Sequence, residues 1–367
     1  MKDIKLFAFY FPQFHSIPEN DLWWGNGFTD WDLVKSAKPL FYNHYQPRVP
    51  FNNNYYDPTI DETIYNQINL AKQYGISGFM FYHYWFDGEL ILDKPLEVFL
   101  NNNDPDFQFC VCWANESWTK SWIGRPDIIL KKQTHKKDKE LWQKHFNYLL
   151  PFFKDPRALK IDGRPVFLIY QPEIVTDTKE LFEFWNELAK QNELNNLYFI
   201  AVKNHEYVND SFLINYDAIL KFQPRLAFTS SNYDNFNFRS AFNFLRFLPE
   251  GFKGLLLKYF NRMQSYNLID SKKIWLKILQ DAYVNKTKYS DLKIFESVFY
   301  EWDNTARYGN KAKIFCGITD DDMKKNLSSI IELSKANDVD ILFYNAWNEW
   351  SEAAYLEPDE EFGLNKL

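Results

Sequence analysis

The sequence predicts a single (β/α)8 TIM barrel, an α/β fold with one catalytic domain over residues 1–367 and long loop insertions. Three observations carry this reading. The length of 367 residues suits one barrel of ~250 residues plus insertions. Eight short apolar runs alternate with mostly helical stretches, which calls for right-handed crossovers and a parallel sheet. The runs are almost continuously apolar, as in strands buried on both faces. An open doubly wound sheet is the competing architecture, but no G-x-G-x-x-G follows the first run.

The first run is 4–10. A long loop over 11–57 carries FPQFHSIPENDLWWGNGFTDW. The stretch TIDETIYNQINLAKQYG reads as a helix stopped by Gly75, followed by the second run, 78–84. The third run is 107–113. A charged helical stretch over 139–153 leads into the fourth, 165–170, and the amphipathic ELFEFWNELAKQN into the fifth, 197–202. Runs six and seven are 218–222 and 293–300, and DDDMKKNLSSIIELSKAND precedes the eighth, 340–346. The acidic triplet Asp320–Asp322 resembles the metal motif of nucleotide-sugar transferases, but its place at a helix start reads as an N-terminal cap.

An insertion over 223–291 separates strands six and seven. Long loops of this kind are usually lids or binding loops. Its segment 239–263 has bulky apolar residues throughout and five basic residues. It reads first as a helical hairpin packed on the barrel flank, and second as a peripheral membrane contact.

Hydrophobic residues make up 46% and charged residues 25%, the balance of a folded globular chain. The net charge of −7 excludes a nucleic-acid partner, which needs a basic face. The 19% of aromatic residues, with 13 Trp, exceeds what a core requires and suggests a cleft lined with rings. Cys110, Cys112 and Cys316 make neither a disulfide framework nor a zinc site, and read as buried free thiols in a reducing compartment. The N-terminus lacks a cleavage signal, and no run approaches ~18 apolar residues, so a cytoplasmic location is expected. The six histidines show no metal-ligand spacing. No metal and no cofactor are expected.

Barrel active sites form at the carboxyl ends of the strands. Amides, carboxylates and rings collect there, the composition of a carbohydrate site: rings cover sugar faces, and amides and acids bind hydroxyls. The candidate substrate-binding residues are Tyr10, His15, Trp24, Asp30 and Trp31 from the first strand and its loop. His83 and Tyr84 follow from the second strand, and Trp113, Asn115 and Glu116 from the third. Gln223, Trp302, Trp347 and Asn348 come from strands six to eight. Glycosidic-bond chemistry needs two carboxyl groups, and Glu349 and Glu352 are the candidate pair. They lie three positions apart, at most ~10 Å in extended chain and ~5–6 Å on a helical turn. Crowding them among Trp347 and Trp350 should raise one pKa, as a general acid requires. The competing carboxylates are Glu116 and the pair Glu301 and Asp303.

The runs YFPQFHSIPENDLWWGNGFTDW, FYHYWFDG, CWANESWTKSW, FYEWDNTARYG and FYNAWNEWSEAAYLEP resemble the WbsX-type proteins, glycosyltransferases of surface-polysaccharide gene clusters. Those proteins are similar to glycoside hydrolase family 99, the endo-acting α-mannosidases and mannanases. The resemblance spans essentially the whole chain. It implies a barrel without metal or nucleotide cofactor and an oligosaccharide or polysaccharide substrate. In the hydrolase family an N-E-W-x-E motif carries both acids; here it reads Asn348 to Glu352. The resemblance implies that Glu349 is the base for the sugar 2-hydroxyl, which attacks the anomeric carbon to give an anhydro-sugar intermediate. Glu352 then protonates the leaving oxygen and later activates water or an acceptor, with net retention. The family often has glycine at positions 351 and 353, where this chain has Ser351 and Ala353, and glutamate in place of Asp30. The first two are expected to narrow the rim beside the acids. Retaining hydrolase chemistry is the favoured activity, with a glycosyltransferase or a non-catalytic glycan-binding barrel as alternatives. Only 15 residues follow Glu352, too few for a full closing helix.

Overall fold

The structure, a computed structural model, describes residues 3–102, 104–120, 125–207, 209–230, 266–284, 289 and 292–367. The 239–263 segment, and with it the expected hairpin or membrane contact, lies outside the described residues.

Each apolar run forms a strand. They are β1 (Lys5–Tyr10), β2 (Ile76–Phe86), β3 (Gln108–Trp113) and β4 (Arg164–Ile169). β5 (Tyr198–Lys203) and β6 (Ala218–Lys221) follow. β7 is split at Glu296 into Lys293–Phe295 and Ser297–Val298, and β8 is Ile341–Tyr344. All neighbours pair in parallel. The ring closes because β7 pairs with β6 through Lys293–Phe295 and with β8 through Ser297–Val298, while β8 pairs with β1. This is the expected eight-stranded barrel. The break in β7 is bridged by a buried ion pair, Lys221 to Glu296 at 2.6 Å.

Alternation along each strand sorts side chains into two layers. Phe7, Phe9, Met80, Cys110, Cys112, Leu168 and Phe343 fill the barrel interior. Cys316, expected to be buried like the other two cysteines, is exposed. Tyr10, Phe79, Phe81, Phe109, Phe167 and Phe199 face the helices. The helices Asp61–Gln73, Lys139–Lys154, Thr178–Gln191 and Asp320–Ala336 cover that outer layer, close to the expected positions. Asp61–Gln73 ends before Gly75, whose φ of 83° only glycine adopts freely. Asp320–Asp322 occupy the first turn of their helix, with Thr319 and Asp322 forming a capping box. Gly78 lets β2 lie close to its neighbours: a Cβ there would collide with the Gln108 carbonyl and the Phe7 ring.

Two connections depart from the simple pattern. β5 and β6 are joined through a 3-10 turn, Ser211–Asn215, in place of a helix. Among the described residues no α-helix follows β8. The chain instead makes a small hairpin, Asn348–Glu349 against Ala354–Tyr355, around the turn Trp350–Glu352. A buried charge network then fastens the last residues to the first loop. Arg48 and Lys366 both bind Glu301, and Asp303 accepts from His44 at 2.8 Å and Gln46 at 2.7 Å. Glu301 and Asp303, candidates from sequence for site chemistry, are therefore occupied in holding the closing segment.

Candidate active site

The carboxyl ends of the strands open into a cavity of about 660 Å³. Its floor is built by residues that alternation points inward: Phe11 beyond β1, Tyr82 and Tyr84 on β2, Tyr170 beyond β4 and Phe222 beyond β6. Trp23 and Trp24 enter from the first loop, Trp118 from the loop after β3, and Trp302 from the loop after β7. Glu116, Glu349 and Glu352 supply the acidic groups of the lining.

The acids are organised by Arg307, buried in the loop after β7. One guanidinium nitrogen lies 3.0 and 3.1 Å from the two oxygens of Glu349 and 3.3 Å from Asp30. The other lies 3.6 Å from Glu352. Sharing one guanidinium brings Glu349 and Glu352 to the same small region of the cavity, as two carboxyls that serve one glycosidic bond must be. The turn itself is fixed by the Asp303 amide, which donates to the Glu352 carbonyl at 2.8 Å, and by Trp350, stacked on Tyr355 with centroids 3.8 Å apart.

Burial pushes the Glu349 carboxyl well above its usual range. The Arg307 charge opposes this, and repulsion from Glu352 and Asp30 adds to it. Glu352 is raised by burial, against Arg307 and Arg225. Asp30 is raised by burial, against Arg307 and the Ser351 hydroxyl. Three carboxyls around one cation in a dry site favour retaining a proton among them. Burial raises Glu349 more than Glu352, while Arg307 opposes this more closely at Glu349, with two charge-assisted hydrogen bonds against one longer contact to Glu352.

Of the sequence-derived candidates, Trp24, Tyr84, Glu116, Trp302, Glu349 and Glu352 line the cavity. Asp30 joins the acid cluster through Arg307. The others sit elsewhere, mostly for one reason: they occupy the outward parity of their strands. Tyr10 donates its hydroxyl to Gln67 at 2.8 Å beneath a helix. His83 faces His145, with Nε2 atoms 2.8 Å apart, and Trp113 donates to the Trp85 carbonyl at 3.1 Å. Trp347 is fully buried against Phe79. Asn115, Gln223 and Asn348 are buried clamps: Asn115 holds the Gln171 backbone, Gln223 takes the Ala227 amide, and Asn348 holds the Phe11 backbone. His15 is bound to the Pro12 carbonyl at 3.0 Å, and Trp31 packs on Trp350 while donating to the Tyr56 carbonyl. The rim-narrowing expected of Ser351 and Ala353 is also corrected. Both are fully buried; Ser351 donates to Asp30 at 2.6 Å and Ala353 sits at φ 50°, a conformation that suits glycine. The Ser351 hydroxyl thus reaches the shorter Asp30, so these two departures from the family pattern meet in space.

Sequence reasoning missed Arg307, Arg225, Tyr82 and Tyr170. Alternation from Tyr84 would have found Tyr82. Arg225 donates to the Tyr170 hydroxyl at 2.9 Å and faces Glu116 and Glu352. Among the described residues, no group of three or more His, Cys, Asp or Glu side chains is placed to hold a metal ion.

The glycosyltransferase WbsX family model matches residues 6–367. The chain belongs to that family. This WbsX chain is 30% identical over 361 residues to the uncharacterized protein WxcX of Xanthomonas campestris pv. campestris, covering 98% of the chain and 48% of WxcX. It spans about half the length of the curated relatives it matches. In fold it is similar to a glycoside hydrolase-like protein, with a TM-score of 0.59 and 13% identity over 100% of this chain and 90% of the other. It is also similar to the GH99 endo-alpha-mannosidase from Bacteroides thetaiotaomicron, with a TM-score of 0.56 and 12% identity over 98% and 89% of the two chains. The WbsX family is described as one of glycosyltransferases, enzymes that act on glycosidic bonds.

Two predictions arise from the layering. Tyr10→Phe removes a buried hydrogen bond far from the cavity, so it should cost about 1 kcal/mol of stability and leave glycan affinity unchanged. Trp24→Ala, within the cavity wall, should weaken glycan binding about tenfold with little loss of stability. Calorimetric titration and urea denaturation of both variants check this, and reversed effects would contradict the layer assignment.

A third concerns Glu357, buried behind the site. It accepts from Gln67 at 2.6 Å, Trp350 at 2.7 Å and Tyr56 at 2.8 Å. Burial outweighs these donors and pushes its carboxyl up to about 7, from an ordinary 4.5. A folded pKa above the unfolded one means that the native state keeps a proton the unfolded state has lost. The associated stability is full below about 4.5 and fades as pH rises through about 7. The urea midpoint should therefore fall between pH 5 and pH 8, with this group accounting for up to ~3 kcal/mol. Glu357→Gln should flatten the dependence, whereas an unchanged slope in that variant would contradict the assignment.

Proposed function

We propose that the chain cleaves or transfers glycosidic bonds of a surface-polysaccharide-type glycan by retaining, family 99-like chemistry, with Glu349 and Glu352 as its catalytic acids. The observation that carries this is the single guanidinium of Arg307 bound to both acids at the floor of an aromatic cup. The two hydrogen bonds from Arg307 favour the Glu349 anion against its burial, and Glu349 acts as the base that takes the proton of the sugar 2-hydroxyl. The oxygen of that hydroxyl bonds to the anomeric carbon as the glycosidic bond breaks. Glu352 gives its proton to the departing oxygen. In the second half Glu352, now ionised, removes a proton from water or an acceptor hydroxyl, whose oxygen attacks the anomeric carbon. The bond to the 2-oxygen breaks and Glu349 returns the proton. Two displacements at one carbon give net retention.

Trp24, Tyr84 and Trp302 offer ring faces to sugars, and Glu116 can bind hydroxyls. The family description favours a transferase as the second reading. One experiment separates the two. Hydrolysis of a manno-oligosaccharide or of a polysaccharide repeat without any nucleotide sugar supports the hydrolase. Strict dependence on a nucleotide sugar overturns it. A cytoplasmic site of action belongs to the same proposal, and the free, buried thiols of Cys110 and Cys112 suit it. Among the described residues no helix is long and apolar enough to cross a membrane.

A further inference from the structure

The walls of the cavity differ in chemistry from one side to the other. Loops after β1, β2 and β3 make an aromatic wall: Trp118 meets Trp23 at 5.8 Å and Tyr84 at 5.1 Å, both edge to face. In a closed eight-stranded ring β2 and β3 stand opposite β6 and β7. Loops after β6 and β7 bring Arg225, Lys311 and Lys313 to the cavity. The acid cluster lies between the two walls.

Lys313 is the informative residue. It is half-buried, and its ammonium stands 4.2 Å over the Phe228 ring. Among the described residues the most deeply buried lysines all reach a carboxylate: Lys221 binds Glu296 at 2.6 Å, Lys203 binds Glu206 at 2.7 Å, and Lys366 binds Glu301 at 3.1 Å. Among the described residues Lys313 contacts no carboxylate. Burial and the neighbouring Arg225 charge both push its pKa down. Arg225 already faces Glu116 and Glu352, but Lys313 has only the like charge of Arg225 beside it, so an anion at that wall relieves the cost of desolvating the Lys313 ammonium. Lys313 has an aromatic ring as its partner where the other three have a carboxylate, so among the described residues no anion offsets its charge.

We propose that the wall formed by Arg225, Lys311 and Lys313 binds an anionic group of the substrate, a sugar carboxylate or a phosphate, and so sets the direction in which the glycan crosses Glu349 and Glu352. This inference rests on the reading of the cavity as a glycan site. Neutral sugar rings lie on the tryptophan wall, and the charged unit lies against the lysines. A neutral polymer would fill only half of the recognition surface.

The test uses the intact chain and three probes: pyrophosphate, glucuronate and the neutral methyl α-mannoside, titrated at low salt with protein NMR or calorimetric detection. At least one anion should bind and lose affinity about tenfold in Lys313→Met and with added salt. Lys313→Arg should retain it, and methyl α-mannoside should bind both proteins equally. Whichever of pyrophosphate and glucuronate binds identifies the source of the negative charge. The proposal is overturned if neither anion binds, or if anion affinity is the same in Lys313→Met. Anion binding with no mannoside binding would sustain the basic wall while counting against the glycan reading, so the two failures are told apart.

Discussion

Glu349→Gln and Glu352→Gln should each lower turnover by more than ~100-fold with the fold intact, as loss of a general acid or base does. The two variants should fail differently. Gln at 349 keeps a hydrogen-bond acceptor for Arg307 but cannot take a proton from a sugar hydroxyl, so the first displacement stalls for every substrate. Gln at 352 cannot protonate the departing oxygen. A substrate with a good leaving group, such as a nitrophenyl glycoside, needs no such help and should recover much of its rate in Glu352→Gln alone. Because burial strains both carboxyls as anions, neutral replacements should leave stability unchanged or improved. Near-normal rates in either variant, measured beside a matched circular dichroism spectrum, would show that the chemistry resides elsewhere.

Arg307→Met should be the most damaging change in the site. It deletes the cation that neutralises Asp30, Glu349 and Glu352 and leaves three buried carboxyls to repel one another. Breaking a buried pair from one side costs roughly 3–5 kcal/mol. The Arg307 charge lowers the pKa of all three acids, so its loss lets each rise further. Glu349 must be ionised to act as base, so the acidic limb of the pH–rate profile should move to higher pH, and residual activity should be greatest in alkaline buffer. Arg307→Lys keeps the charge but not the paired geometry, and should restore stability more than rate. Urea denaturation and a pH–rate profile of both variants read these effects. A limb that stayed in place would mean that Arg307 does not set the charge of Glu349.

Much of the fold was legible because barrel strands are buried on both faces and advertise themselves as apolar runs. Gly75 as helix stop and the acidic triplet Asp320–Asp322 as a helix start are local signals and were readable as such, although the cap itself is Thr319, one residue before the triplet. The hairpin after β8 was not. Its turn is held by the Asp303 amide, and the segment after it by Arg48, Lys366 and Glu301, residues far apart in sequence that only ring closure brings together. In the site, the acids were legible because Trp and Glu crowd one short segment. The binding set was only partly so. Collecting every polar or aromatic residue at a strand end mixes the two parities, and it swept in Tyr10, His83 and Trp113, which face the helices, while passing over Tyr82, which faces the cavity. Arg307 lay within a quoted motif, but nothing local indicates that its partners would be Asp30, 277 positions away, and Glu349, 42 positions away.

The decisive step in this chemistry is the attack on the anomeric carbon. Proton NMR of the first product released from an oligosaccharide that the wild-type chain turns over reads this before mutarotation. Two displacements through the 2-oxygen predict that the new anomer has the configuration of the bond that was broken, and that a substrate lacking the 2-hydroxyl is inert. An inverted product, or full activity on the 2-deoxy substrate, would contradict it.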